Sequence, residues 1–108
     1  MSYRIHTTAQ AEADIERIFA WLARRSPQGA ARWYESFWDA AERLREFPQL
    51  STLAREAKDF PEELRCLFFG TTRGRTYRAL FAIRDEVVHI LCIRGPGQKP
   101  VRAADIDQ

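Results

Sequence analysis

The sequence predicts an α+β domain in which a short N-terminal strand and an antiparallel helical hairpin precede three antiparallel strands, in the order β-α-α-β-β-β. Three observations predict it. Apolar residues recur every three or four positions through the first half and change to strand-like runs from Leu64 onward. A Ser26-Pro27 pair separates two helical patterns, and the two-residue gap Asp85-Glu86 separates the last two apolar runs. Laying the helices on one face of an antiparallel sheet then buries both apolar surfaces.

Tyr3-Arg4-Ile5-His6-Thr7 alternates polar and apolar and reads as the first strand. Thr7 and Gln10 have the spacing of a capping box, and Ile15, Ile18, Phe19 and Leu22 follow at helical intervals, which predicts a helix over about 8–25. Ser26 can cap free backbone N–H groups and Pro27 suits a first turn, so a second helix runs from there to Phe47, before Pro48. Its core stripe is Ala30, Trp33, Phe37, Ala40, Leu44 and Phe47. Residues 48–63 mix Pro48, Ser51, Thr52, Lys58, Asp59 and Pro61 with scattered apolar positions and read as a loop with a helical turn. Strands are predicted over 64–69, 76–84 and 87–94. On the middle one, Tyr77, Ala79, Phe81 and Ile83 should face the helices, leaving Arg78, Leu80, Ala82 and Arg84 on an open face.

At 108 residues, 45 % apolar and 12 % aromatic, the chain supports one domain with a modest core and leaves no room for a second. No apolar run approaches the roughly 18 residues of a membrane span, and Met1-Ser2-Tyr3-Arg4 lacks the apolar stretch of a secretory signal, so a cytoplasmic location is expected. Cys66 and Cys92 sit in apolar runs rather than in a CxxC pair, which predicts buried reduced thiols and no metal site. Gly95-Pro96-Gly97 is a loop signal without phosphate-cradling spacing, so no cofactor is expected.

The net charge of +2 conceals an asymmetry. Residues 1–64 carry nine Lys/Arg against eleven Asp/Glu, whereas 65–108 carry eight against four. The basic half supplies the candidate surface for a target or nucleic acid: Arg65, Arg73, Arg75, Arg78, Arg94, Lys99 and Arg102. Trp33 belongs to the core stripe, while Trp21 and Trp38 lie off theirs and are candidates, with Leu80, for contact with a protein partner.

The stretch from Gly74-Arg75-Thr76-Tyr77-Arg78-Ala79-Leu80-Phe81 through Val87-Val88-His89-Ile90-Leu91-Cys92-Ile93-Arg94 resembles the Y-R-x-L-F … V-x-I-L-x-I-R signature of RelE/ParE superfamily toxins of type II toxin-antitoxin systems. Ala11-Glu12-Ala13-Asp14-Ile15 opening one helix and Ser26-Pro27 opening the next are similar to the helical hairpin of the ParE-like, plasmid-stabilisation branch. The resemblance spans about residues 3–95. It implies a RelE/ParE-like fold and a growth-inhibiting toxin, neutralised by a cognate antitoxin in a hetero-oligomer, whose target is DNA gyrase or, in the RelE-like alternative, mRNA on the ribosome. Arg78 and Arg94 match its basic signature.

Cutting RNA through its 2′-hydroxyl needs a base, an acid and cations that stabilise charge on the phosphate, and arginines supply only the cations. RNA-cutting relatives add a C-terminal Tyr or His, or lysines and a Glu, and this sequence has no Tyr or His after His89. His89 lies in an apolar strand and reads as structural, expected on one face with Val87, Leu91 and Ile93; His6 is a weaker candidate still, and Tyr77 is assigned to the core. A protein-binding toxin is therefore the first reading. A ribosome-dependent endonuclease using Arg78 and Arg94 is the second, and an inactive binding module the third.

Overall fold

The computed structural model describes residues 2–70, 75–96 and 98. β1 (Arg4–Thr7) leads into α1 (Ala9–Ala23) and α2 (Pro27–Arg43), and after two short 3-10 turns at Pro48–Leu50 and Ala57–Asp59 come β2 (Arg65–Phe69), β3 (Tyr77–Arg84) and β4 (Val87–Arg94). The predicted element order holds. The four strands form one sheet in the order β1-β4-β3-β2. β2, β3 and β4 pair antiparallel, but β1 lies parallel to β4, so the sheet is mixed rather than wholly antiparallel. None of the described helices is long and apolar enough to cross a membrane.

The helix starts follow the capping chemistry. Thr8, rather than Thr7, caps α1 by accepting from the Ala11 amide, and Ser26 caps α2 by accepting from the Gly29 amide with Pro27 in the first turn. α2 ends at Arg43, four residues short of the predicted end. Leu44 and Arg45 instead close tighter turns onto Ala41 and Glu42, and the Arg45 carbonyl accepts from the Tyr3 amide, tying the helix end to the start of β1. Phe47, restricted by the proline that follows it, is 61 % exposed and leaves the core stripe.

The helix face of the sheet carries Phe69, Ala79, Phe81, Val88, Ile90 and Ile93, packed under Ile15, Ile18, Trp33 and Phe37. Tyr77 and Ile83 pack partly against the same core. Trp33 meets Phe69 and Tyr77 at ring-centroid distances of 5.7 and 5.4 Å, so α2 is fastened to the junction of β2 and β3 by aromatic contacts. Gly70 takes φ +153, and a Cβ there would lie 2.7 Å from the Arg75 carbonyl oxygen, which only glycine avoids. At the other hairpin Asp85 adopts φ 56, a left-handed conformation that aspartate tolerates.

The opposite face of the sheet is not open. Cys66, Leu80, Ala82, Leu91 and Cys92 form a second core beneath Ala54, Phe60 and Leu64, because residues 48–63 cross the face as a strap. The strap is stitched to the β2 edge: the Ala54 amide donates to the Leu64 carbonyl and the Cys66 amide to the Thr52 carbonyl, each at 2.8 Å. Both cysteines are free and buried, as expected.

A bulge explains why simple alternation fails on β4. Leu80 pairs with Cys92 but Phe81 pairs with Ile90, so Leu91 has no opposite number and the facing parity reverses there. Ile93 moves to the helix core, away from the face that the alternation assigned it with Leu91. The backbone groups freed by the bulge are met by α1. The Thr8 hydroxyl donates to the Leu91 carbonyl at 3.0 Å, and the Asp14 carboxylate, 4 % exposed, accepts from the Ile93 amide at 2.9 Å. Gln10 and Arg17 donate to the other Asp14 oxygen.

Asp14→Ala removes the acceptor of a buried amide and is expected to lower the unfolding free energy by about 1–3 kcal/mol. Asp14→Asn keeps an acceptor and should lose less. Urea unfolding checks both, and an unchanged midpoint for the alanine variant would mean that the Ile93 amide finds another partner.

Candidate functional site

The sheet arginines decide what the strap side of the molecule can do. Arg78 leaves β3 toward the strap and donates two parallel hydrogen bonds to Glu56, at 3.0 and 2.9 Å. The side chains of this pair are 14 % and 1 % exposed. The bidentate geometry is the one a guanidinium makes with a carboxylate, and hydrogen bonding to Glu56 is the main reason the Arg78 pKa is raised further. Arg84 makes a similar fork to Glu62, at 3.0 and 2.5 Å, and Arg65 reaches both Glu63 and the Ser51 carbonyl. Three arginines of β2 and β3 thus clamp the strap through Ser51, Glu56, Glu62 and Glu63.

This corrects the expectation of an open positive face. Arg65, Arg78 and Arg84 are engaged in internal ion pairs. Leu80, expected on a partner-binding surface, is 0 % exposed because the strap covers it. Arg94 remains. It stands beside Arg78 in cross-strand register and is half-buried, and its Nε is buried without a hydrogen-bond partner. Phe68, 53 % exposed, flanks Arg78 from β2, so the row across this end of the sheet reads Phe68, Arg78, Arg94. Arg75 is exposed just ahead of β3. Arg73, Lys99 and Arg102 lie outside the described residues.

Neither histidine of the chain stands in this row. His89 pairs with Ala82, four residues along β3 from Arg78 and so roughly 13 Å away at the strand rise per residue. It meets the His6 ring edge-on, with centroids 5.3 Å apart. Burial, then the charges of Arg84 and His6, hold its pKa below the ordinary 6.5. Glu62 is held low chiefly by its hydrogen bond from Arg84. Burial pushes the Cys92 thiol up to about 12, with the Asp14 carboxylate adding to the effect, so it is no thiolate at neutral pH. Among the described residues no cluster of three His, Cys, Asp or Glu side chains is placed to hold a metal ion.

The two off-stripe tryptophans are both exposed, Trp21 at 46 % and Trp38 at 38 %. They serve different surfaces. Trp38 continues a seam along the helical hairpin, with Tyr34 6.3 Å away and Phe19 a further 6.0 Å from Tyr34. Trp21 lies beneath the Arg25 guanidinium, 4.1 Å from its carbon, at the rim of a groove of about 780 Å³. Arg17, Trp33, Arg75 and Tyr77 complete its main walls where the α1–α2 connection meets β3.

Sequence reasoning missed Glu56, Glu62 and Glu63 as partners of the basic strands. The signal was present, since these acids stand just upstream of the arginines, but nothing local fixes the strap's path across the sheet. The groove went unseen because its walls come from positions as far apart as Arg17 and Gly95.

Residues 5–100 match the family described as "ParE toxin of type II toxin-antitoxin system, parDE". No curated protein sequence matches closely enough to serve as a relative.

Arg78→Ala, which an exposed arginine would tolerate, is now expected to destabilise the fold by about 3–5 kcal/mol, because it removes one member of a buried bidentate ion pair. The paired change Arg78→Met with Glu56→Leu should recover most of that loss, and denaturant midpoints of the single and double variants measure it. pH adds a second test. A histidine whose folded pKa is depressed contributes stability that is complete above its ordinary 6.5 and is lost as pH falls through the folded value. The Glu62 contribution is present above 4.5 and disappears at still lower pH. Thermal midpoints should therefore fall in two steps, and His89→Gln should remove only the upper one; a wild-type profile flat down to about pH 5 would contradict the assignment.

Proposed function

The chain belongs to the ParE toxin family of type II toxin-antitoxin systems, and from that premise we propose that it inhibits growth by binding a protein target, DNA gyrase by family implication, rather than by cutting RNA. The observation that carries this reading is the occupancy of Arg78. A guanidinium held in a buried fork by Glu56 is already neutralised and is not available to a scissile phosphate. The carboxylate beside it, Glu56, is bound in that fork, and the strand histidine meets His6 toward the other end of β4. Target contacts are assigned to Arg94 and Arg75, with Arg73, Lys99 and Arg102 as further candidates.

The family implies a cognate antitoxin. Its contacts are assigned to the Trp38, Tyr34 and Phe19 seam and to Trp21, exposed aromatic surface of the kind that protein interfaces enrich. Leu80 is withdrawn from this set, and the complex acts in the cytoplasm.

Purified protein tested in parallel for inhibition of gyrase supercoiling and for mRNA cleavage on translating ribosomes separates the readings. Gyrase inhibition without cleavage is the expected result, and Arg94→Ala should reduce it about tenfold or more while the fold stays intact, since the side chain is half-buried and makes no ion pair among the described residues. Cleavage without gyrase inhibition would instead establish a RelE-like endonuclease.

A further inference from the structure

The groove at the end of the helical hairpin shares Trp21 and Arg75 with the contacts proposed above, and adds to them a concave site whose other walls those contacts do not use. Its volume of about 780 Å³ falls in the range of small-molecule sites. Its charged lining is Arg17, Arg25 and Arg75, with no carboxylate among the described residues that line it. These cations come from the middle of α1, the turn after it and the approach to β3, so the fold rather than local sequence brings them together. Arg25 stacks over Trp21, which orders a flat guanidinium beside a flat indole. Arg17 donates to Asp14 at 3.1 Å, and a guanidinium carries five donors, so that contact leaves capacity for an anion.

The aromatic wall carries an unmet requirement. Trp33, 2 % exposed, lines the groove, and its indole Nε1–H is buried with no hydrogen-bond partner among the described residues. A buried donor left unmade is costly, and a ligand bearing an acceptor on a flat ring satisfies it. A docking peptide brings acceptors on its backbone and not on its Phe or Trp rings, whereas a nucleobase carries ring nitrogens and carbonyl oxygens on the stacking ring itself. A phosphate supplies the negative charge that three guanidiniums require.

We propose that this groove binds a small aromatic anion of the nucleoside monophosphate class. The phosphate sits among Arg17, Arg25 and Arg75, the base lies against Trp21 and Tyr77, and an acceptor on the base takes the Trp33 indole hydrogen. Gly95 belongs to the same wall: a Cβ there would come within 3.1 Å of the Tyr77 ring, so glycine lets the chain close over that ring.

The test is calorimetric titration of the full chain with AMP, ribose 5-phosphate, inorganic phosphate and the acidic aromatic peptide acetyl-Glu-Trp-Glu-amide. The expected result is saturable one-to-one binding of AMP, about tenfold tighter than ribose 5-phosphate. Trp21→Ala and Arg75→Ala, both at exposed positions, should each weaken AMP about tenfold with circular dichroism unchanged. Trp33→Phe should reduce the preference for AMP over ribose 5-phosphate, with the stacking contribution retained, and leave phosphate binding as it was; if that buried variant unfolds, the two exposed variants still decide. Absence of saturable AMP binding, equal binding of AMP and inorganic phosphate, indifference to Arg75→Ala, or a preference for the peptide would each overturn the proposal. Gyrase inhibition is read separately, so failure here leaves the toxin assignment standing, and the reverse also holds.

Discussion

The buried fork between Arg78 and Glu56 is the constraint around which the strap side of the molecule is organised. Without it, the strap's carboxylate would lose a bidentate partner while crossing an apolar face, and the sheet would hold a guanidinium among Cys66, Leu80 and Cys92 with the same loss. Each charge is stabilised there by the other. Arg84 with Glu62 and Arg65 with Glu63 repeat the arrangement nearer the surface, where solvent screening makes the pairs weaker but still directional. The strap is therefore placed by charge matching at three points and then sealed by Ala54, Phe60 and Leu64 over the sheet.

The helix side depends on a different device. The bulge at Leu91 frees a carbonyl and redirects an amide, and α1 answers both with Thr8 and Asp14. Thr8 serves twice, since the hydroxyl that caps α1 also donates to Leu91. Helix start and strand irregularity are thus one structural unit, and Asp14 is a buried polar residue in the helix stripe for that reason. The same bulge delivers Ile93 to the helix core and leaves Leu91 and Cys92 together beneath the strap.

What was legible in the sequence follows from which interactions are local. Helical periodicity, the Ser26-Pro27 start and the Asp85-Glu86 turn are encoded within a few residues, and the element order follows from them. Strand alternation placed Tyr77, Phe81 and Ile83 correctly against the helices. It failed on β4, because a bulge inserts one residue without any local signal that separates Leu91 from its neighbours. The parallel pairing of β1 with β4 was also invisible, since it joins residues more than eighty positions apart, such as Ile5 and Val88. The largest misreading concerned charge. The basic excess of the second half suggests a surface for an outside partner, yet Arg65, Arg78 and Arg84 answer acids of the first half. Counting charges along the chain cannot distinguish an internal complement from an external one.

Among the described residues, this arrangement leaves Arg94 and Arg75 as the arginines of the second half outside the strap's ion pairs, with exposed aromatics on the helical hairpin. The account stands on the strap being a permanent part of the fold, held down by its ion pairs. Amide hydrogen exchange on the Ala54 and Cys66 N–H groups, which bond the strap to β2, tests that most directly. Protection equal to that of central amides in β3 and β4, so that these hydrogens exchange only through global unfolding, is the result predicted. Rapid exchange at Ala54 and Cys66 while the central strands stay protected would show a strap that opens independently, and would return Arg78 to the surface.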